Sequence, residues 1–200
     1  KDPTEIELCR DLESQYGNKF LSINGSFGNL SQHLHSVGIN KIDGILLDLG
    51  ISSMQLETPE RGFSFQFDAP LDMRMTQTGE TVYDILNSLS ESSLADIIYY
   101  FGEERSSRKI AKAIVNKRKI KKIKTTFDLN EIVLNVKKTK NRKIHPATKT
   151  FQALRIYINN ELKDLYEALI STEKVLSEKG RLVVISFHSL EDRIVKNFIK

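Results

Sequence analysis

The apolar positions change period along the chain, and those changes lay out its elements. Pro3 suits a first helical turn, and Ile6, Leu8, Cys9 and Leu12 add a partly apolar face, so a helix is predicted over residues 3–16, closed by Tyr16-Gly17-Asn18. A short strand is expected near Lys19 to Asn24, then a turn at Gly25-Ser26-Phe27-Gly28 and a helix from about Leu30 to Val37. The run Gly44 to Leu49 is apolar except for Asp48, the pattern of a parallel strand buried on both faces. Periodicity is lost from Ile51 to Gly79, which reads as a long ordered loop of a length that is usually functional.

Helical spacing returns at Tyr83 to Leu89. After a Ser90 cap it continues at Leu94, Ile97, Ile98 and Phe101, and Gly102 breaks it. A basic helix is predicted from about Arg105 to Lys117, and Thr125 or Thr126 caps another through Val136. One long amphipathic helix is expected from Thr148 to about Leu176, with Phe151, Leu154, Ile158, Leu162, Leu165 and Leu169 in one stripe and Gly180 as its stop. Arg181 to Phe187 reads as a second buried strand, followed by a helix from Glu191 to Phe198.

This order predicts an α/β fold, an open parallel sheet carrying an all-α insertion. Ligands of such sheets bind beyond the carboxyl ends of the strands. Both predicted strands end in polar text, Asp48-Leu49-Gly50-Ile51-Ser52-Ser53 and Ser186-Phe187-His188-Ser189, which points to one site.

Composition narrows the class. Two hundred residues, 40% hydrophobic, suffice for one core or a core with a satellite, and no apolar run approaches the roughly 20 residues of a membrane-spanning helix. The single cysteine, Cys9, closes no internal disulfide and supplies no cysteine-based zinc site, which favours a reducing compartment. The chain begins Lys1-Asp2-Pro3-Thr4, without methionine or leader, and reads as an excerpt of a longer protein.

Charge changes the picture further. From Arg105 to Lys143 stand 15 of the 30 Lys and Arg residues against only Asp128 and Glu131, a local charge of +13 that leaves −9 for the remainder. Such a block attracts polyanions through counterion release, and a nucleic-acid backbone is the first partner to consider; a solvated helix face or a mobile loop is the plainer alternative.

Asp48, the one charge in its strand, is a ligand or catalytic candidate against a structural turn-former, because a buried carboxylate is costly unless paired. Gly50 permits close backbone approach, and Ser52, Ser53 and Gln55 offer polar groups equally suited to capping a helix. Pro59 to Phe65 interleaves the charge pair Glu60 and Arg61 with Phe63 and Phe65, and Pro70 to Met75 adds Asp72, Arg74 and two methionines; aromatics next to arginine suit stacking on a nucleobase, and the alternative is that Phe63, Phe65, Phe67 and the methionines plug a small core. His188 with Ser186 or Ser189 lacks the elbow of a hydrolase, and His33, His35 and His145 lack the partners of a metal site, so none is expected.

Six segments carry a resemblance. Asp43-Gly-Ile-Leu-Leu-Asp-Leu-Gly-Ile-Ser-Ser-Met-Gln-Leu56, Glu60-Arg-Gly-Phe-Ser-Phe65, Pro70-Leu-Asp-Met-Arg-Met75, Gly102-Glu-Glu-Arg105, Pro146-Ala-Thr-Lys-Thr-Phe-Gln-Ala-Leu-Arg155 and Ile185-Ser-Phe-His-Ser-Leu-Glu-Asp-Arg193 resemble, in order and spacing, the RsmH (MraW) family. That resemblance implies a class I Rossmann-like methyltransferase that uses S-adenosyl-L-methionine on the N4 amine of a cytidine in the decoding centre of small-subunit ribosomal RNA. It implies a methyltransferase domain at residues 1–58 and 146–200, with a loop and an inserted helical RNA-recognition domain at 59–145. The family's Gly-rich cofactor loop and ribose-binding acid are expected to precede Lys1.

The family's cofactor contacts fall on Phe27, Asp48 and Gln55. Catalytic roles are expected at Asp48, Ser53 and Arg74, and RNA contacts at Arg61, Phe63, Arg74, Arg105, Arg108, Lys109, Lys149, Arg155 and His188, the last of which is equally readable as a helix cap. The expected partner is small-subunit ribosomal RNA or its 30S particle, with a homodimer left open. The expected compartment is the bacterial cytoplasm, with the mitochondrial matrix as alternative. A non-catalytic RNA-binding or assembly factor on the same fold is the rival reading.

Overall fold

The computed structural model describes residues 2–137 and 144–200, apart from the side chains of Thr4 and Glu7. Lys138, Lys140, Arg142 and Lys143 of the basic block lie outside the described residues. The elements are α1 (Ile6–Tyr16), α2 (Leu30–Ser36), β1 (Ile42–Asp48), α3 (Ser53–Glu57), α4 (Val82–Ser88), α5 (Glu91–Gly102), α6 (Ser107–Ile120), α7 (Thr126–Val136), α8 (Thr148–Asn159), α9 (Glu161–Val175), β2 (Leu176–Ile185) and α10 (Ser189–Ile199). They form a mixed α/β chain with a two-stranded parallel sheet among the described residues. Two compact units emerge, one of residues 1–50, 75–77 and 160–200, the other of 51–74 and 78–159.

In the first unit, β1 and β2 run side by side, with Ile45 opposite Leu182 and Asp48 opposite Ile185. Ile45, Leu47 and Leu49 pack on Leu165, Ala168 and Leu169 of α9, and Leu34, Ile194 and Val195 close the cluster from α2 and α10. Burying each such leucine, isoleucine or valine side chain fully contributes about 1.5–3 kcal/mol. The alternate positions face outward: Leu46 is 65% exposed, Val183 52% and Phe187 68%. The expectation of strands buried on both faces is therefore corrected. Successive side chains of a strand point to opposite faces, and only one face of this pair is packed.

Three further expectations are revised. Residues 19–24 form no strand, since no described strand lies beside them to complete a ladder. The long helix from Thr148 is two helices, because Asn160 takes a left-handed conformation (φ 52°, ψ 33°), which asparagine tolerates better than most residues. The second strand begins at Leu176 rather than Arg181. Its register jumps from Leu176 opposite Ile42 to Arg181 opposite Gly44, so Gly180 lies inside the strand, where a Cβ would stand 2.7 Å from the Leu176 side chain.

The second unit is helical among its described residues. α5 packs on both α6 and α8, and Leu86, Leu94, Ile98, Ile110, Ile114, Leu129 and Leu154 fill its core. Capping explains the helix starts: Thr81 with Asp84 and Thr125 with Asp128 form reciprocal boxes, and Ser90 Oγ accepts the Ser93 N–H. Thr125 is the cap because the Thr126 hydroxyl is engaged elsewhere, donating to the Phe67 carbonyl. The segment expected as an ordered loop is stapled by backbone hydrogen bonds from Leu71 N–H to the Lys124 carbonyl, Thr126 N–H to Ala69, Tyr83 N–H to Leu71 and Met73 N–H to Arg61.

Candidate functional site

In the first unit the turn at Gly25 to Gly28 sets Phe27 in place. Ser26 Oγ accepts the Gly28 N–H at 3.2 Å, and the Ser26 carbonyl lies 3.0 Å from His33 Nε2. Gly28 presses on α9, where an added Cβ would fall 3.1 Å from the Asp164 Cα. Phe27 is left 37% exposed. Beyond the end of β1 the chain turns at Gly50 (φ +94°). There a hollow of about 40 Å³ is lined by Phe27, Leu49, Gly50 and Met75, and by the acids Glu161, Asp164 and Glu191.

The ends of the two strands are held together by the Leu49 N–H, which donates to the Ile185 carbonyl at 3.1 Å. The turn after β2 is organised by Glu191, which is buried (2% exposed). Its Oε2 accepts the N–H groups of Phe187 (2.8 Å) and His188 (3.3 Å), and its Oε1 lies 3.2 Å from His188 Nε2. Burial pushes this carboxyl up, but the nearby His188 ring and the hydrogen bonds from the Phe187 and His188 amides outweigh it, and it is held below the usual carboxylate range.

His188 Nδ1 in turn accepts the Glu191 N–H, so the ring caps α10, and the hydrogen-bond network assigns its proton to Nε2. Glu161, His188 and Glu191 bring donor atoms within 4.8 Å of one another. Nδ1, however, is committed to the Glu191 amide as the cap of α10, while Nε2 is buried near Glu191 Oε1 without a hydrogen-bond partner among the described residues. Of the two readings left open for His188, the geometry displays the cap.

Asp48 is exposed, on the face of β1 opposite Leu47 and Leu49, and does not line the hollow. The expectation of a buried strand carboxylate is thus corrected, by the same one-sided packing that exposes Leu46. Ser53 and Gln55 belong to the second unit. Gln55 is 5% exposed and forms the capping box of α3, accepting the Ser52 N–H on Oε1 while its own N–H meets Ser52 Oγ.

Arg74 is clamped inside the second unit. Its guanidinium donates to both carboxylate oxygens of Asp72 (2.8 and 2.7 Å) and to the Gly79 carbonyl (2.8 Å). Burial raises the Asp72 carboxyl, yet the Arg74 hydrogen bonds prevail and hold it below its ordinary value. Arg61 donates to the Arg74 carbonyl and lies over the Phe63 ring, 5.6 Å from its centroid. Phe63 is only 6% exposed, so the expectation that it offers a face to a base is corrected: its ring belongs to the core.

The predicted basic surface divides in two. Arg105, Arg108, Lys109 and Lys149 are exposed, and Arg155 is half-buried. Arg118 instead reaches inward to the carbonyls of Leu86 and Leu89, and Lys137 is buried against Glu104. Sequence reading missed Glu104, Glu161, Asp164 and Glu191. For Glu191 the signal was available, since it stands three residues after His188 in the spacing of a capping box.

The profile of the MraW methylase family matches residues 1–200. A protein of Rhodospirillum rubrum named ribosomal RNA small subunit methyltransferase H is 50% identical over all of this chain and 61% of its own length. Proteins of the same name from Paramagnetospirillum magneticum (48% identical, 63% of its length) and Rickettsia bellii (50%, 65%) match the whole chain as well. The chain thus spans about three-fifths of the length of these relatives. Unbroken matching from first residue to last, at about half identity, shows that the chain belongs to the MraW methylase family.

Proposed function

We propose that this protein transfers a methyl group from S-adenosyl-L-methionine to the N4 amine of a cytidine in the decoding centre of small-subunit ribosomal RNA. The observation that carries the reading is the hollow at the carboxyl end of β1, lined by Phe27 and three acidic residues in a chain of this family. Ligand sites of open α/β sheets lie at such strand ends. Residues 1–58 and 146–200 are read as part of a Rossmann-like methyltransferase domain and 59–145 as a loop with its inserted helical RNA-recognition domain; the second compact unit takes in 51–58 and 146–159 besides.

The residues fit the cofactor in chemical kind. Phe27 offers a ring to an adenine, and Glu161 and Asp164 suit a cationic ammonium or sulfonium; the hollow itself holds only a small part of so large a molecule. The family resemblance implies further cofactor contacts at Asp48 and at Gln55, neither of which lines the hollow. When bound, S-adenosylmethionine supplies a methyl group activated by its sulfonium.

The N4 lone pair of cytosine is conjugated with the ring, so the protein's task is chiefly alignment. Asp48, exposed at the strand tip, accepts a proton from the amine as positive charge develops on it. Ser53 and Arg74 position the base. The exposed cations Arg105, Arg108, Lys109 and Lys149 hold phosphates. The partner is small-subunit RNA or its particle, and the bacterial sources of the relatives favour the bacterial cytoplasm.

The test incubates the protein with tritiated S-adenosylmethionine and small-subunit particles, then digests the RNA to nucleosides. Label at cytidine N4, lowered by Asp48→Asn and by Arg74→Ala, is the expected result. RNA binding without label in any nucleoside replaces the enzyme reading with that of a non-catalytic assembly factor.

A further inference from the structure

The second unit contains a cleft of about 420 Å³, of whose lining only Arg105 and Lys149 have so far been given a role. Its floor is the buried pair Glu104–Lys137, locked further by the Ser106 N–H on Glu104 and by Lys137 donating to the Pro146 carbonyl. Arg105, Glu103 and Lys149, whose Nζ donates to the Glu103 carbonyl at 3.0 Å, also line it. On its wall stands His145, exposed, with one ring face stacked on Phe65 at 4.4 Å and 21°. Phe65 in turn meets the buried Phe151 edge-on at 5.1 Å.

An imidazole is therefore built outward from the core on two aromatic rings. Its Nδ1 accepts the Ala147 N–H at 3.2 Å, so the neutral ring carries its proton on Nε2 as a donor. A flat surface held in one orientation loses little entropy when a second ring stacks on it. Arg105 and Lys149 stand beside it as cations, in a unit with 19 Lys and Arg against 12 Asp and Glu.

We infer that this cleft is a nucleotide subsite for single-stranded RNA: one unpaired base stacks on His145, and the adjoining phosphates meet Arg105 and Lys149. The inference rests on the RNA-directed reading above and names a place where the strand is held. Stacking on an aromatic side chain tolerates any base, and RNA-binding modules use histidine among their stacking residues. Phe63 and Phe65, the aromatics that the sequence offers for this role, instead sit in the core and under the imidazole.

The experiment measures binding of the purified protein to a fluorescein-labelled single-stranded 12-mer RNA by anisotropy, without cofactor, over a range of salt. His145→Ala weakens binding about tenfold with the salt slope unchanged, whereas His145→Phe, which also loses the Ala147 hydrogen bond but keeps a ring, restores most of it. Arg105→Ala and Lys149→Ala each lower the salt slope by about one. Equal affinity of His145→Ala and wild type overturns the inference, as does equal loss in the Ala and Phe variants, which marks a structural role. Displacement of the RNA by micromolar nucleoside monophosphate overturns it too, by marking a mononucleotide site. Methyl transfer in the tritium assay with His145→Ala binding RNA normally would sink this subsite alone, while the His145 effects without methyl transfer would sink only the enzyme reading.

Discussion

The carboxylate of Glu104 and the ammonium of Lys137 form an ion pair inside the helical unit, with side chains 6% and 5% exposed. It links the end of α5 to the end of α7 and, through the Pro146 carbonyl, to the approach to α8. Removing one partner leaves the other charged and buried. Lys137→Met is expected to cost about 3–5 kcal/mol in urea unfolding, and the double change Lys137→Met with Glu104→Leu to recover much of that loss, because the penalty lies in the orphaned charge.

Glu191 predicts a pH dependence. Its folded-state value is held below the ordinary carboxylate range of about 4.3, so the stabilisation it contributes is fully present above that value and is lost as pH falls through the lower, folded one. Thermal melts from pH 7 to pH 3 check this. The melting temperature of Glu191→Gln lies below wild type at pH 7, and the gap narrows below about pH 4.3. A gap that stays constant with pH removes the charged cap from the account.

Gly62 adopts φ +69°, and a Cβ there would lie 2.1 Å from the Pro70 carbonyl oxygen. Gly62→Ala therefore combines left-handed strain with a backbone collision and is expected to lose at least about 2 kcal/mol. Gly79→Ala serves as the control, since its φ is +84° but nothing stands within 4 Å. Urea denaturation of the pair separates the collision from the strain.

Asp48 and Arg74 are expected to part company in stability. Asp48 is exposed, so Asp48→Asn changes unfolding free energy by no more than about 0.5 kcal/mol while lowering methyl transfer. Arg74→Ala strips Asp72 of a two-pronged partner and Gly79 of a donor, and costs about 1–3 kcal/mol besides any loss of activity. Chemical denaturation of the two variants beside the tritium assay checks both statements.

Where local signals agreed, the elements were legible. The Ser90 cap, the apolar steps of α5 and a threonine cap at 125 or 126 are short-range features, satisfied within a few residues of chain. The split at Asn160 was less so, since the apolar stripe continues through it in phase. What breaks the helix is one left-handed residue beside Asn159, whose side chain bonds the Met73 carbonyl, 86 positions away. The strand expected at residues 19–24 failed because a strand exists only with a neighbour, and a neighbour is not a local property.

From residue order alone followed the family, the α/β class, the two strands and the density of positive charge in the middle of the chain, all of them matters of motif, period and count. Only the folded chain decided which of those charges face solvent, placing Lys137 against Glu104 and Arg118 on helix-end carbonyls while leaving Arg105 and Lys149 outside. It also put Phe63 in the core, left His145 exposed, and gave Glu191 the task of fixing the turn beyond β2. The reason is that burial and pairing depend on partners far apart in the sequence, which hydrophobic period and charge count along the chain do not specify.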